Sequence, residues 1–118
     1  MKNKTWLESF GHALDGIYNT AKTERNFRIQ IVAGIVAVAV CVIFTLPPWQ
    51  YALVAMAITL VLVTELLNTA IEAITDLATQ GEIHSLAKKA KDAAAAAVLL
   101  ASTFALVVGT IVAATIIF

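Results

Sequence analysis

The chain has 118 residues, 60% of them hydrophobic, against the roughly 45–50% usual in soluble domains. Lipid is the solvent this composition suits. Eight basic residues balance eight acidic ones, which argues against nucleic acid or another polyanion as a partner held by net charge. The single cysteine, Cys41, leaves no internal disulfide and no zinc-type spacing.

Residues 1–28 are rich in charge and hold no long apolar run, so no cleaved signal peptide is expected at the start. On a helical wheel Trp6, Phe10, Ala13, Leu14, Ile17 and Ala21 share one face, and Lys4, Glu8, Asp15, Asn19 and Lys22 share the opposite one. This pattern predicts an amphipathic helix lying along a membrane surface. Continuing the wheel places Glu24 on the apolar side, where a simple anchor would not want a carboxylate. Glu24-Arg25-Asn26-Phe27-Arg28 then forms a charged flank at the mouth of the first span.

Three apolar stretches follow. A bilayer core of about 30 Å calls for roughly 20 apolar residues of helix, and the pattern predicts spans over residues 29–46, 49–77 and 92–118. Pro47-Pro48 separates the first two, with Trp49 and Tyr51 placed for an aromatic belt. Residues 78–91 are expected to form a loop carrying Lys88, Lys89 and Lys91. The five alanines from Ala93 to Ala97 permit close helix approach at the start of the third span. The predicted fold is all-α, an integral membrane bundle of three spans plus the surface helix, in a single domain over residues 1–118.

All eight basic residues fall before the first span or between the second and third. The positive-inside rule therefore places the N-terminus and the second connection in the cytoplasm and the C-terminus outside.

The second span carries Glu65, Asn68, Glu72 and Asp76 at spacings of three, four and four, on one helical stripe. A carboxylate in a spanning segment costs at least about 2.5–3.5 kcal/mol on insertion scales. The stripe must face protein, cations or water. One reading is a polar seam between copies of the chain, although carboxylates would repel one another there. The other is a seam that binds cations. Lys88-Lys89-Ala90-Lys91-Asp92 is expected at the same membrane face, where it satisfies the positive-inside rule on its own. Together, carboxylates and lysines at one depth suit a metal-bound polyphosphate. Mg²⁺ takes hard oxygen ligands, and phosphoryl transfer needs positioning and charge stabilisation. No G-x-x-x-x-G-K-[ST] and no kinase-type glycine loop is present, so an ATP site must be built differently. His12 and His84 read as interfacial side chains outside the chemistry.

Glu65-Leu66-Leu67-Asn68-Thr69-Ala70-Ile71-Glu72-Ala73 with Asp76 resembles the signature of the prokaryotic diacylglycerol kinase family. Glu24 through Arg28 and Ala87 through Ala95 resemble two further blocks of that family, in the right order. The resemblance implies a homotrimer in the bacterial plasma membrane, with active sites shared between neighbouring protomers at the cytoplasmic interface. It implies transfer of the ATP γ-phosphate to a lipid alcohol with Mg²⁺ as cofactor. By motif position, Glu65 would be the general base with Asn68 beside it. Glu24 and Glu72 would hold the metal with the nucleotide phosphates, and Asp76 would support that site. Lys91 and Asp92 would contact the nucleotide.

The family has a Gram-negative branch acting on diacylglycerol and a Gram-positive one resembling undecaprenol kinase. Glu24 through Arg28 and Leu86-Ala87-Lys88 look like the latter, and Gln30 stands where the Gram-negative enzymes have an acid. Ser85 and Ala96 depart from the proline and glycine common in the undecaprenol branch, and are expected to loosen the loop and to crowd a helix contact. The expected product is undecaprenyl phosphate, with phosphatidic acid from diacylglycerol as the alternative. A small ion-conducting oligomer and a non-catalytic membrane adaptor are the readings outside enzymology.

Overall fold

In the computed structural model, which describes residues 5–118, the chain forms four helices: α1 (Trp6–Thr23), α2 (Arg25–Ile43), α3 (Pro48–Thr79) and α4 (Ser85–Ile117). The last three are long and apolar enough to cross a bilayer. A helix satisfies its own backbone hydrogen bonds, which is the condition lipid imposes on any spanning segment. Lys2 and Lys4, counted above toward orientation, lie outside the described residues.

The α1 segment begins at Thr5, whose side chain accepts from the Glu8 N–H at 3.1 Å. Its apolar face is open: Trp6, Leu7, Phe10 and Tyr18 are all exposed. The helix stops at Thr23, and Glu24 is extended, with φ −107° and ψ 111°. The wheel cannot be continued to Glu24, whose direction is set by this break instead.

The boundaries of the first span differ from expectation, since α2 covers 25–43 where 29–46 was predicted. The charged flank is helical because nothing in Arg25-Asn26-Phe27-Arg28 interrupts it. At the other end, the Thr45 N–H bonds to Val42 O at 3.2 Å and the Leu46 N–H to Cys41 O at 3.0 Å. Thr45 sits at φ 50°. This is a Schellman closure with a β-branched residue in the left-handed position glycine usually fills. Pro47 N-caps α3 and Pro48 occupies its first turn, where a missing N–H costs nothing.

The largest difference is at α4. The predicted loop over 78–91 shrinks to the few residues between Thr79 and Ser85, and the lysine cluster is helical. Gln80 (φ 52°) and Gly81 (φ 82°) end α3 in left-handed conformations. His84 then caps α4, its Nδ1 accepting from the Leu86 N–H at 3.1 Å. Ser85 stands at the first helical position, where serine and proline both serve, so its departure from the family pattern leaves the helix start intact. Ala96 is exposed.

The central helix is α3, which packs along α4 and α2, while α1 touches α2 and α3 at one end. The buried core is thin and made of small side chains: Cys41, Val54, Ala57, Val108 and Val112. Small residues let backbones approach where hydrophobic burial gives no net drive between helices. The tightest approach is at Gly34, where an added Cβ would lie 3.2 Å from Ile58 Cγ2. Large apolar side chains such as Ile35, Leu99 and Leu106 point outward, as lipid permits. At 32 and 33 residues, α3 and α4 are about 48–50 Å long, well beyond a hydrocarbon core of about 30 Å. Their surplus length carries Glu72 to Thr79 and Ser85 to Asp92 out into one interface.

Candidate active site

Counting from Pro48 at 1.5 Å per residue, Glu65 lies about 26 Å along α3, near the far edge of the hydrocarbon core. It is the one carboxylate buried among the described residues, at 4% exposure. No cation and no hydrogen-bond donor among the described residues pairs with it. Of the charges around it, those of Glu24 and Glu72 act most strongly, and both are negative. The helix break between α1 and α2 supplies Glu24, and α3 supplies Glu65 and Glu72, two turns apart.

Asn68 lies between the two acids of α3. Its Nδ2 donates to Glu72 Oε1 at 3.0 Å, which orients that carboxylate. Its Oδ1 is buried and has no partner. A buried acceptor left unpaired is costly, of order 1–3 kcal/mol, and marks a place where a donor or a cation is wanted.

Asp76 follows a different course from the other members of the stripe. One turn beyond Glu72, it is exposed and accepts from Lys91 Nζ at 2.5 Å. Asp92 likewise pairs with Lys88 at 2.5 Å, one helical turn apart on α4. The structure therefore sorts the sequence-predicted residues into two groups. Glu24 and Glu72 stand near Glu65, with Asn68 between the two acids of α3, and no cation among the described residues pairs with any of them. Asp76, Lys91, Asp92 and Lys88 form two ion pairs at the α3–α4 corner, at the same end of the bundle.

The donor set suits a hard cation, with carboxylate oxygens and one amide carbonyl and neither sulfur nor imidazole among them. Among the described residues, no three acidic, histidine or cysteine side chains converge closely enough to enclose an ion. Glu24, Glu72 and Asp76 are thus not brought to one point within a single chain. One or two carboxylates with the remaining ligands from phosphate oxygens is the usual arrangement for Mg²⁺, and Glu72, oriented by Asn68, could supply one of them.

Two features escaped the sequence reading. Arg28 Nη1 donates to Ala21 O at 2.8 Å and to Lys22 O at 3.1 Å, across the helix break. A basic residue a few positions after a helix end was the only signal available. At the opposite end of the bundle Gln50, only 2% exposed, hydrogen-bonds Thr115 at 3.1 Å.

A groove with a volume of about 560 Å³ runs between α2 and α4 over α3, floored by small residues including Gly34, Ala57 and Gly109. Gln30 and Ser102 are its polar side chains. The Gln30 Oε1 is buried and unpartnered.

Residues 11–113 match the family described as prokaryotic diacylglycerol kinase. A diacylglycerol kinase from Synechocystis is 42% identical over 87% of this chain, which spans 59% of that protein. An undecaprenol kinase from Bacillus subtilis is 40% identical over 91% of this chain and 86% of its own length. A diacylglycerol kinase from Escherichia coli is 32% identical over 86% of this chain and 82% of its own length. The match runs from within the surface helix through the first two spans into most of the third and takes in Glu24, Glu65, Asn68 and Glu72, and the chain belongs to the prokaryotic diacylglycerol kinase family, a family of membrane lipid kinases.

Proposed function

We propose that the chain transfers the γ-phosphate of ATP to undecaprenol at the cytoplasmic face of the plasma membrane, giving undecaprenyl phosphate and ADP. The observation that carries this reading is Glu65: a buried, unpaired carboxylate at the membrane edge, beside two further acids and on the same face as the lysines of α4.

Glu65 accepts the proton of the lipid hydroxyl as its oxygen forms a bond to the γ-phosphorus, and the bond from that phosphorus to the β–γ bridging oxygen breaks. Asn68 holds the Glu72 carboxylate in place. Glu24 and Glu72 hold Mg²⁺, which when bound neutralises the polyphosphate. Lys91 meets phosphate as a point charge, steadied by Asp76, and Asp92 acts beside it on the nucleotide. The working form is a homotrimer, in which neighbouring copies complete one another's sites and cover the groove between α2 and α4. The N-terminus is cytoplasmic and the C-terminus lies outside.

Undecaprenol is favoured by the Bacillus subtilis relative, matched over nearly its full length, and by the amide at Gln30 in place of an acid. The Synechocystis and Escherichia coli relatives favour the second reading, diacylglycerol as acceptor and phosphatidic acid as product.

The test is a lipid panel with Mg²⁺ and labelled ATP. Undecaprenol should be phosphorylated faster than diacylglycerol, and Glu72→Gln should abolish transfer to both. Equal turnover of the two lipids would remove the ground for preferring undecaprenol, and full activity in Glu72→Gln would refute the site.

A further inference from the structure

Arg28 lies close in sequence to Glu24, yet among the described residues no carboxylate pairs with it. Its guanidinium turns back along the chain to the last turn of α1. There Nη1 donates to Ala21 O at 2.8 Å and to Lys22 O at 3.1 Å. These carbonyls have lost their helical partners because α1 ends at Thr23. A cation at a helix C-terminus is also favoured by the partial negative charge there.

The main chain of Arg28 grips the other side of the same break. Its N–H bonds to Glu24 O at 3.3 Å, while the Glu24 N–H bonds to Thr20 O at 2.8 Å. Glu24 is the single extended residue between two helices, and one arginine holds both sides of it. Phe27, next to Arg28 and 1% exposed, anchors the start of α2 in the protein. These hydrogen bonds span the corner between α1 and α2, where Glu24 stands near enough for its charge to act on Glu65.

We infer that Arg28 is a positioning residue that clamps the α1–α2 corner, fixing where Glu24 stands beside Glu65, and thereby sets the affinity of the site for the divalent cation. The inference rests on the kinase reading for the role of the cation. The clamp itself rests on geometry alone. The guanidinium suits the task because it stays charged and presents several N–H groups in a fixed plane. Using it on backbone carbonyls leaves the three carboxylates uncompensated, which is the state that attracts a cation.

The experiment compares wild type, Arg28→Lys and Arg28→Gln, full length in lipid nanodiscs. Spin labels at exposed Ser9 on α1 and Ile35 on α2, in a Cys41→Ser background, report the corner by pulsed electron paramagnetic resonance. Wild type should give a narrow distance distribution, Arg28→Gln a broad one, and Arg28→Lys an intermediate one. In parallel, the Mg²⁺ concentration for half-maximal transfer should rise about fivefold in Arg28→Gln, as expected for losing charge-assisted hydrogen bonds at an exposed site. The KM for the lipid should stay unchanged. A narrow distribution in Arg28→Gln would overturn the clamp. Broadening with no change in Mg²⁺ requirement would overturn its link to the cation. A wild-type chain without Mg²⁺-dependent transfer would instead defeat the kinase reading, and the spin-label result would still decide on the clamp.

Discussion

Lys91 and Asp76 lie fifteen residues apart, and the Lys91 Nζ is 2.5 Å from the Asp76 Oδ1 across the α3–α4 corner. The pair ties the helix bearing the acidic cluster to the helix bearing the basic one. Because both side chains are substantially exposed, the contact contributes little to stability, at most about 1 kcal/mol. Its weight falls on where the ammonium group is held.

Lys91→Met should therefore leave the unfolding free energy within about 1 kcal/mol of wild type. The KM for ATP should rise about tenfold, the effect of losing one charged contact to phosphate. Asp76→Asn should give a smaller rise, because Lys91 keeps its charge and loses only its tether. Steady-state kinetics with chemical unfolding in mixed micelles measures both. Equal effects of the two substitutions on KM would show that Asp76 touches the nucleotide itself.

Glu65→Gln should separate stability from activity. The wild-type carboxylate is buried without a cation and beside two like charges. An ionised carboxylate costs about 2.5–3.5 kcal/mol at the centre of a spanning helix and less toward its edge, where Glu65 lies, and a neutral amide of the same shape relieves the like-charge repulsion. The variant should unfold at a higher denaturant concentration than wild type. Phosphate transfer should fall by about 10²–10⁴, the usual contribution of a positioned general base. Lower stability in Glu65→Gln would mean that the carboxylate is satisfied by a partner from another copy of the chain.

The elements that composition and period reveal are the ones the sequence made legible. The uncharged core of α2 and the Pro-Pro turn are visible as strings of residue types, because lipid selects for type rather than for partner. The stripe Glu65, Asn68, Glu72 was readable for the same reason: a charge in a span is conspicuous, and helical spacing fixes its face. The destination of Asp76 was not readable. At the end of a helix a carboxylate can turn either toward its own stripe or toward a lysine of the next helix, and only the short connection to α4 decides. That connection was hidden because a lysine-rich segment reads as a loop, while alanine and lysine are also strong helix formers and His84 supplies the cap. The break at Glu24 was equally hidden. No proline or glycine marks it, and the groups that stabilise it, Arg28 and the Ala21 and Lys22 carbonyls, are a side chain and two backbone atoms.

Thr45 offers a test of local backbone cost. It holds the left-handed position of the Schellman closure at φ 50°. For an L-residue this conformation costs about 1–2 kcal/mol, which glycine escapes, although glycine loses about 0.5–1 kcal/mol more entropy on ordering. Thr45→Gly should therefore stabilise the chain by about 0.5–1 kcal/mol, Thr45→Asn by less, and Thr45→Val not at all. Chemical unfolding of the three variants tests the order. Destabilisation by glycine would show that the threonine side chain makes a compensating contact in the assembled protein.

The Gln50–Thr115 pair closes the opposite end of the bundle. The Gln50 Nε2 donates to Thr115 Oγ1 at 3.1 Å, and the threonine hydroxyl also reaches Val112 O at 2.8 Å. Gln50 is almost wholly buried, so replacing it with leucine removes an amide that neither lipid nor water would satisfy. Hydrogen bonds between spanning helices average only about 0.6 kcal/mol, because the unfolded chain in lipid finds partners too. Gln50→Leu should cost about that much. Thr115→Val should cost less than about 1 kcal/mol, and the double variant should show a coupling of about 0.6 kcal/mol in a thermodynamic cycle. Glu65 lies about 23 Å further along α3, so transfer activity at saturating substrate should be unchanged in all three. A fall in activity that tracks the coupling, rather than the stability of each variant, would mean that this distant pair sets the sliding register of α3 against α4, and through it the height of Lys91 at the other end of the bundle.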